Sequence, residues 1–357
     1  MKNSDARKTI LWWGRFSPEY SRTSILRKIL SEEGWDHVDF HPKISQFGYL
    51  ESFFNKIRMP NIIWVPCCRQ RDVRSAYFFS KKYNIPLIFD PLISSYDKKV
   101  FERKKFSEKS YRAKKIKNWE QKIFKSADII LADTILHKEF YSNFFDIDNS
   151  KIFTVSVGAD EELFFPKSFV KKEKYEVLFY GTFLELHGIE FIIEASKLLD
   201  NVDWVILGDG KLKKHFLEMG KGLSNLRFEN KIDYSHLPSR IAKSDILLGI
   251  FADSHKASRV IPNKFYQSIA CSRPIITRDS YAYPNDIRLN SNQGIFLVPH
   301  SNPEKIVEIV KTIISDESKL HKYGNDAYAQ YCKYFNRKVV KKELLKAIEY
   351  LYSKGSI

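Results

Sequence analysis

Three basic side chains, Lys256, Arg259 and Lys264, gather around Pro262-Asn263-Lys264, where a stretch of helical spacing begins and runs on through Gln267 to Cys271. Pro262 followed by Asn263 marks a helix start, with Asn263 as the capping candidate. The first turn of a helix carries unpaired backbone N–H groups and the positive end of the peptide dipoles. Cations collected there point to an anion, and above all to a phosphate. A purely structural surface would scatter them.

Two glycine-containing loops offer the same chemistry. In Val177-Leu-Phe-Tyr-Gly181-Thr182, which continues to His187-Gly188, an apolar strand gives way to a loop and then to a helix. Gly181 and Gly188 let backbone amides come close to an anion. Val205-Ile-Leu-Gly208-Asp209-Gly210 follows the next strand and reads equally as a tight turn.

The wider charge pattern agrees with anionic partners. Net charge is +16, which suits nucleotide diphosphates, anionic lipid or nucleic acid and does not choose among them. Twelve lysines and arginines lie between Lys98 and Lys125, interleaved with Phe101, Phe106, Tyr111, Ile116, Trp119 and Ile123. This pattern predicts an amphipathic helix over 101–126, its basic face either solvated or meeting an anionic lipid surface or acceptor. Cys67, Cys68, Cys271 and Cys332 show no metal-type spacing and read as reduced, mostly buried thiols. No signal sequence or membrane span is read, so the expected location is the cytoplasm, at the inner face of the membrane if the basic stretch binds lipid.

The elements that must position these residues alternate between short apolar runs and longer stretches of helical period, which argues for α/β architecture with parallel sheets. Strands are predicted at 9–13, 37–40, 62–65, 87–89, 129–132 and 152–155, with helices at 24–33, 73–83, 101–126 and 138–145. Residues 158–174 lack periodicity and read as a crossing between domains. A second series has strands at 177–180, 204–207, 226–228, 246–250, 274–277 and 295–298. Its helices are predicted at 189–199, 212–220, 237–243, 264–271 and 304–315, before a last helix at 337–352. At 357 residues, two domains of roughly 100–200 residues each are expected.

In this order and spacing, several segments together resemble the retaining GT-B-fold glycosyltransferases of glycosyltransferase family 4 (glycosyl transferases group 1). They are Val157-Gly158-Ala159-Asp160 with Leu163-Phe164-Phe165-Pro166, the Gly181 to Ala195 loop and helix, Ile206-Leu207-Gly208-Asp209-Gly210, Leu237-Pro238 through Ile246, and Pro262-Asn263-Lys264 through Pro274. The resemblance implies two Rossmann-like, doubly wound domains facing each other across a cleft. Residues 1–160 would take the acceptor, 161–335 the nucleotide-sugar, and 336–357 would pack back on the first domain. It also implies metal-independent transfer from a UDP- or GDP-sugar to a glycan, lipid-linked or other hydroxyl acceptor, as in polysaccharide biosynthesis for a cell envelope. No separate cofactor, metal or nucleic acid is expected.

Departures from the family pattern accompany the matches. Where the family has a diphosphate-binding Arg and Lys, this chain has Thr182 and His187; where it has two glutamates, this chain has Arg259 and Gln267. Lys256, Arg259, Lys264 and a protonated His187 would then neutralise the diphosphate at Asn263. Gln267 would hydrogen-bond ribose hydroxyls. By the same resemblance Gly14 and Arg15 occupy a loop touching donor phosphate and acceptor, and Asp90 stands where relatives place a histidine against the donor sugar; on the residues alone the first reads equally as a plain βα loop and the second equally as a helix cap. Two rivals stay open: an inactive sugar-nucleotide-binding subunit of the same fold, and a sugar-nucleotide epimerase.

Overall fold

The computed structural model describes residues 8–170, 172–290 and 292–353. The chain forms two compact units, one running to Val157 and completed by the segment from Arg337, the other spanning Gly158–Asn336. Each is built on a six-stranded sheet whose strand pairs are all parallel.

The first unit contains β1 (Lys8–Trp13), β2 (Trp35–Phe40), β3 (Ile62–Val65), β4 (Leu87–Phe89), β5 (Ile129–Ala132) and β6 (Ile152–Thr154), in spatial order β2-β1-β3-β4-β5-β6. Helices α1 (Ser21–Glu32), α2 (Gly48–Glu51), α3 (Val73–Tyr83), α4 (Tyr111–Ser126) and α5 (Ile135–Phe145) connect them. β3 and β5 are apolar at every position and buried throughout, because a parallel sheet is covered on both faces. The strand order turns around between β1 and β3.

In the second unit β7 (Glu176–Thr182), β8 (Asp203–Asp209), β9 (Leu226–Glu229), β10 (Ile246–Leu248), β11 (Ile275–Arg278) and β12 (Ile295–Val298) take the order β12-β11-β10-β7-β8-β9. The helices are α6 (Ile189–Leu198), α7 (Lys213–Met219), α8 (Leu237–Ala242), α9 (Asn263–Ala270), α10 (Asn285–Leu289), α11 (Pro303–Ile314) and α12 (Glu317–Tyr334). This is the Rossmann order, with its turnaround between β7 and β10. The last helix, α13 (Arg337–Ser353), lies in the first unit, where Val340, Leu344, Ala347, Ile348 and Leu351 join the core around Ile10, Trp12, Ile29 and Trp64.

The alternation read from the sequence thus gives two Rossmann-like sheets, and several local expectations are corrected. The helix expected over 101–126 is broken: a π-helical turn covers Asp97–Glu102, Lys104 adopts a left-handed φ of 44°, and α4 starts only after Ser110, whose hydroxyl caps the Ala113 N–H at 3.2 Å. A good N-cap inside a helical pattern starts a new helix. α2, α10 and the long α12 were not foreseen; α12 buries only Leu320, Gly324, Ala327 and Tyr331, too sparse a stripe to stand out. Among the cysteines Cys67 and Cys271 are buried, whereas Cys68 and Cys332 are exposed.

β7 and β8 pair with Gly181 opposite Gly208, at φ of 149° and 147°. A Cβ on Gly208 would stand 1.9 Å from the Gly181 carbonyl oxygen, so only glycine fits. Gly208→Ala is expected to destabilise the protein by about 3 kcal/mol, combining backbone strain with overpacking. Gly34→Ala, with an open surround and a φ of 79°, should lose only about 1–2 kcal/mol. Urea denaturation of both variants checks the contrast, and equal losses would refute it.

Candidate functional site

Ligands in open α/β sheets bind outside the carboxyl ends of the strands, where the strand order turns around. In the second unit that place is the end of β7, and Gly181 lies there above a buried amine. A Cβ at Gly181 would be 3.2 Å from Lys264 Nζ and 3.4 Å from His187 Cε1. Lys264 sits in the first turn of α9, is 6% exposed, and its Nζ has no hydrogen-bond partner. The ammonium position is 3.7 Å from the centre of the Phe179 ring. Burial pulls its pKa well below that of an ordinary lysine.

His187, before the left-handed Gly188 that opens α6, shares this environment. Its Nδ1 is buried without a partner. Burial first, then the charges of Lys264 and Lys256, drives its pKa well down, against a hydrogen bond at the Thr182 backbone. The imidazole is neutral, which corrects the expectation of a protonated His187: two cations beside a desolvated ring disfavour a third charge.

The helix start differs from the sequence reading in one respect. Pro262 occupies the capping position, its side chain accepts nothing, and Asn263 is already helical. Gln267 is also reassigned. Its Oε1 accepts from Tyr180 Oη at 2.9 Å and its Nε2 donates to Tyr234 Oη at 3.3 Å, so the buried amide braces two tyrosines. Those tyrosines, with Gly181, Thr182, Gly208 and Asp209, line a cavity of about 700 Å³. Tyr180 and Tyr234 were missed by sequence reasoning, since an aromatic at a strand end or in a loop carries no motif. Lys256 is buried, and Arg259 is half-buried in the same turn, its N–H bonding the Lys256 carbonyl at 3.0 Å. The structure thus brings together Gly181, Thr182, His187, Lys256 and Lys264.

Gly14, Arg15 and Asp90 belong to the first unit. Gly14 has a φ of 136° and lies against Asp72; Arg15 is exposed at the wall of a second cavity. Asp90 is corrected from sugar contact to structural anion. It is 2% exposed, and both carboxylate oxygens accept from Arg22 Nε, at 2.9 and 2.8 Å, while Arg22 also donates to the Val155 carbonyl. Burial raises the Asp90 pKa and Arg22 lowers it again.

Among the described residues no group of three or more His, Cys, Asp or Glu is placed to hold a metal ion. An Asp-x-Asp triplet does occur, Asp146-Ile147-Asp148, but Asp146 ends α5 in a left-handed conformation and pairs with Lys125, and Asp148 accepts from the Ser150 N–H at 2.9 Å.

Residues 160–330 match the family model for glycosyl transferases group 1. They form a glycosyltransferase domain. The match holds Gly181, Lys264 and the tyrosine-lined cavity, so the buried amine lies inside the glycosyltransferase segment. No curated protein sequence matches the chain. Among solved structures, Anabaena HepE in complex with UDP is similar over 96% of this chain and 100% of its own, at 12% identity and a TM-score of 0.71. The sucrose-phosphate synthase of Thermosynechococcus elongatus is similar over 98% of this chain and 100% of its own, at 12% identity and a TM-score of 0.73. WaaG, a glycosyltransferase involved in lipopolysaccharide biosynthesis, covers 94% of this chain and 98% of its own, at 12% identity and a TM-score of 0.65. These likenesses establish the GT-B fold.

Two stability tests follow from the geometry. A lysine with a depressed pKa binds fewer protons folded than unfolded, so between its folded pKa and about 10.5 stability rises with pH. Lys264→Met should remove that rise and leave the protein at least as stable at neutral pH, measured as urea midpoints at several pH values. A wild-type midpoint independent of pH in that window would contradict the buried amine. Asp90→Asn, which strands the Arg22 charge, should lose about 3–5 kcal/mol; retention of full stability would show that the pair is not an anchor.

Proposed function

We propose that this protein transfers a sugar from a nucleoside-diphosphate sugar, UDP- or GDP-linked, to a hydroxyl of a glycan or lipid-linked acceptor, with retention of configuration and without a metal. The observation that carries the reading is the buried Lys264 amine beneath Gly181, without a hydrogen-bond partner, within the glycosyltransferase segment. As the bond from the sugar C1 to phosphate breaks, negative charge grows on the departing oxygen. A metal-free site must meet that charge with its own cations and dipoles. A diphosphate over α9 would favour the protonated form of Lys264 and give the amine the partner it lacks. Lys256 and Arg259 add charge, and neutral His187 adds a hydrogen bond. The cavity lined by Tyr180, Tyr234, Gly208 and Asp209 has room for the nucleoside.

In this reading the new bond from C1 to the acceptor oxygen forms on the face that the phosphate leaves, and the phosphate oxygen takes the acceptor's proton. No carboxylate nucleophile is assigned. UDP as the nucleotide finds support in HepE, whose structures hold UDP and UDP-glucose. A cell-envelope acceptor finds support in WaaG. No helix among the described residues is long and apolar enough to cross a membrane; action in the cytoplasm against an anionic membrane face fits the net charge of +16.

The test is release of nucleoside diphosphate by the purified chain over a panel of donors and acceptors. Turnover should survive EDTA. Lys264→Met and Arg259→Ala should each lower it by roughly ten- to hundred-fold with folding intact, as loss of a charge-assisted contact requires. Complete loss in EDTA, restored by manganese, overturns metal independence. Donor binding without turnover would identify an inactive subunit, and conversion of donor without acceptor an epimerase.

A further inference from the structure

The turnaround of the first sheet, between β1 and β3, holds a second cavity of about 410 Å³. Its walls come from the loops after β1, β3 and β4 and from the π-helical turn, the position at which a doubly wound sheet receives a ligand. Arg15, Arg71, Lys98, Lys99, Arg103 and Lys105 all line it. Arg69 lines it too, but its guanidinium is paired with buried Asp72 at 2.7 Å. Among the described residues no carboxylate is part of the lining. The nearest acids stand behind the wall: Asp97 is buried, and buried Glu120 accepts from Ser94 Oγ and the Tyr96 N–H, both at 2.8 Å, and from the Ser95 N–H. Glu120 thereby pins the loop that carries the cavity floor.

A concave site with cations on all sides and no lining acid is selective for an anion of more than one charge. It does not end there. Arg71, Lys99 and Trp119 also line an adjoining cavity of about 720 Å³, whose other walls are Phe47, Phe78, Ile116 and Ile123 together with Gln46, Arg74 and Lys115. With the π-helical turn set off from α4, Lys98 and Lys99 line the first cavity, while Ile116, Trp119 and Ile123 give the second an apolar wall, in a lining that also holds Arg74 and Lys115. A cationic space opening onto a wall of Phe47, Phe78, Ile116, Trp119 and Ile123 suits a ligand with an anionic head and an apolar chain.

We propose that the first unit binds an anionic amphiphile, a phosphate or pyrophosphate ester of an apolar chain, with the phosphate among Arg71, Lys98, Lys99 and Arg103 and the chain along Trp119. This rests on the transfer proposed above and names the chemical class of its acceptor. The basic stretch from Lys98 onward then acts as a head-group receptor rather than a uniformly solvated face.

Decyl phosphate, titrated calorimetrically below its micelle-forming concentration, tests the assignment in the intact chain. Saturating UDP is present to occupy the cations of the second unit. Binding should be at least ten-fold tighter than that of inorganic phosphate and should weaken as salt rises. Lys99→Glu and Arg71→Glu should each weaken it ten-fold or more, and Trp119→Ala should weaken decyl phosphate while sparing inorganic phosphate. Unaltered UDP affinity and circular dichroism would show these variants folded. Lys99→Ala serves as a milder second variant. Equal affinity for the two probes would assign the cavity to free anions and overturn the amphiphile. Unchanged decyl phosphate binding in the charge-reversed variants would overturn the site. Failure of the wild type to bind UDP would strike the donor reading alone, because decyl phosphate is then titrated without it.

Discussion

The register of β7 against β8 governs the second unit. With Gly181 paired to Gly208, two backbones meet so closely that no side chain fits between them. The strand end is thereby left bare over Lys264, and an amine that water would normally solvate is shut beneath a peptide instead. Everything assigned to that site follows from this closeness. The pKa of the amine is depressed because it is dry, that of the imidazole because it is dry and near Lys264 and Lys256, and an anion arriving from outside would meet backbone rather than side chain.

The first unit uses its own turnaround differently. There the buried charge is already neutralised, with Arg22 and Asp90 tying the start of α1 to the end of β4 and to the Val155 carbonyl. The uncompensated charge lies further out, on flexible lysine and arginine side chains around an open cavity. One sheet therefore keeps its positive potential buried and fixed, the other exposed and adaptable. The former suits a ligand of constant shape such as a nucleotide diphosphate, the latter a head group that varies in position.

How much of this was legible in the sequence depended on the length scale of the signal. Strands such as Ile62–Val65 and Ile129–Ala132 announce themselves because burial on both faces permits only apolar residues. The cation cluster near Lys264 could be read for the same reason, as charge gathered at a helix start. What could not be read was burial of individual polar groups. Asp90 looked available until Arg22, far away in the chain, closed on it. His187 looked chargeable until Lys264 and Lys256 stood beside it. Gln267 looked free until Tyr180 and Tyr234 claimed its amide. The break before Ser110 was written in the sequence, yet the apolar period on either side masked it.

α13 has a consequence for how the protein comes into being. Its Val340, Leu344 and Leu351 complete a core begun by Ile10 and Trp12, so the unit that starts at the ribosome first cannot close until the last turn of helix has emerged. The Gly158–Asn336 unit is one continuous segment, which can fold while synthesis continues. The order of emergence and the order of completion are therefore opposite. A premature stop shortly before Arg337 would leave a finished second unit joined to an open first one, with the apolar face around Ile29 and Trp64 bare to chaperones and proteases.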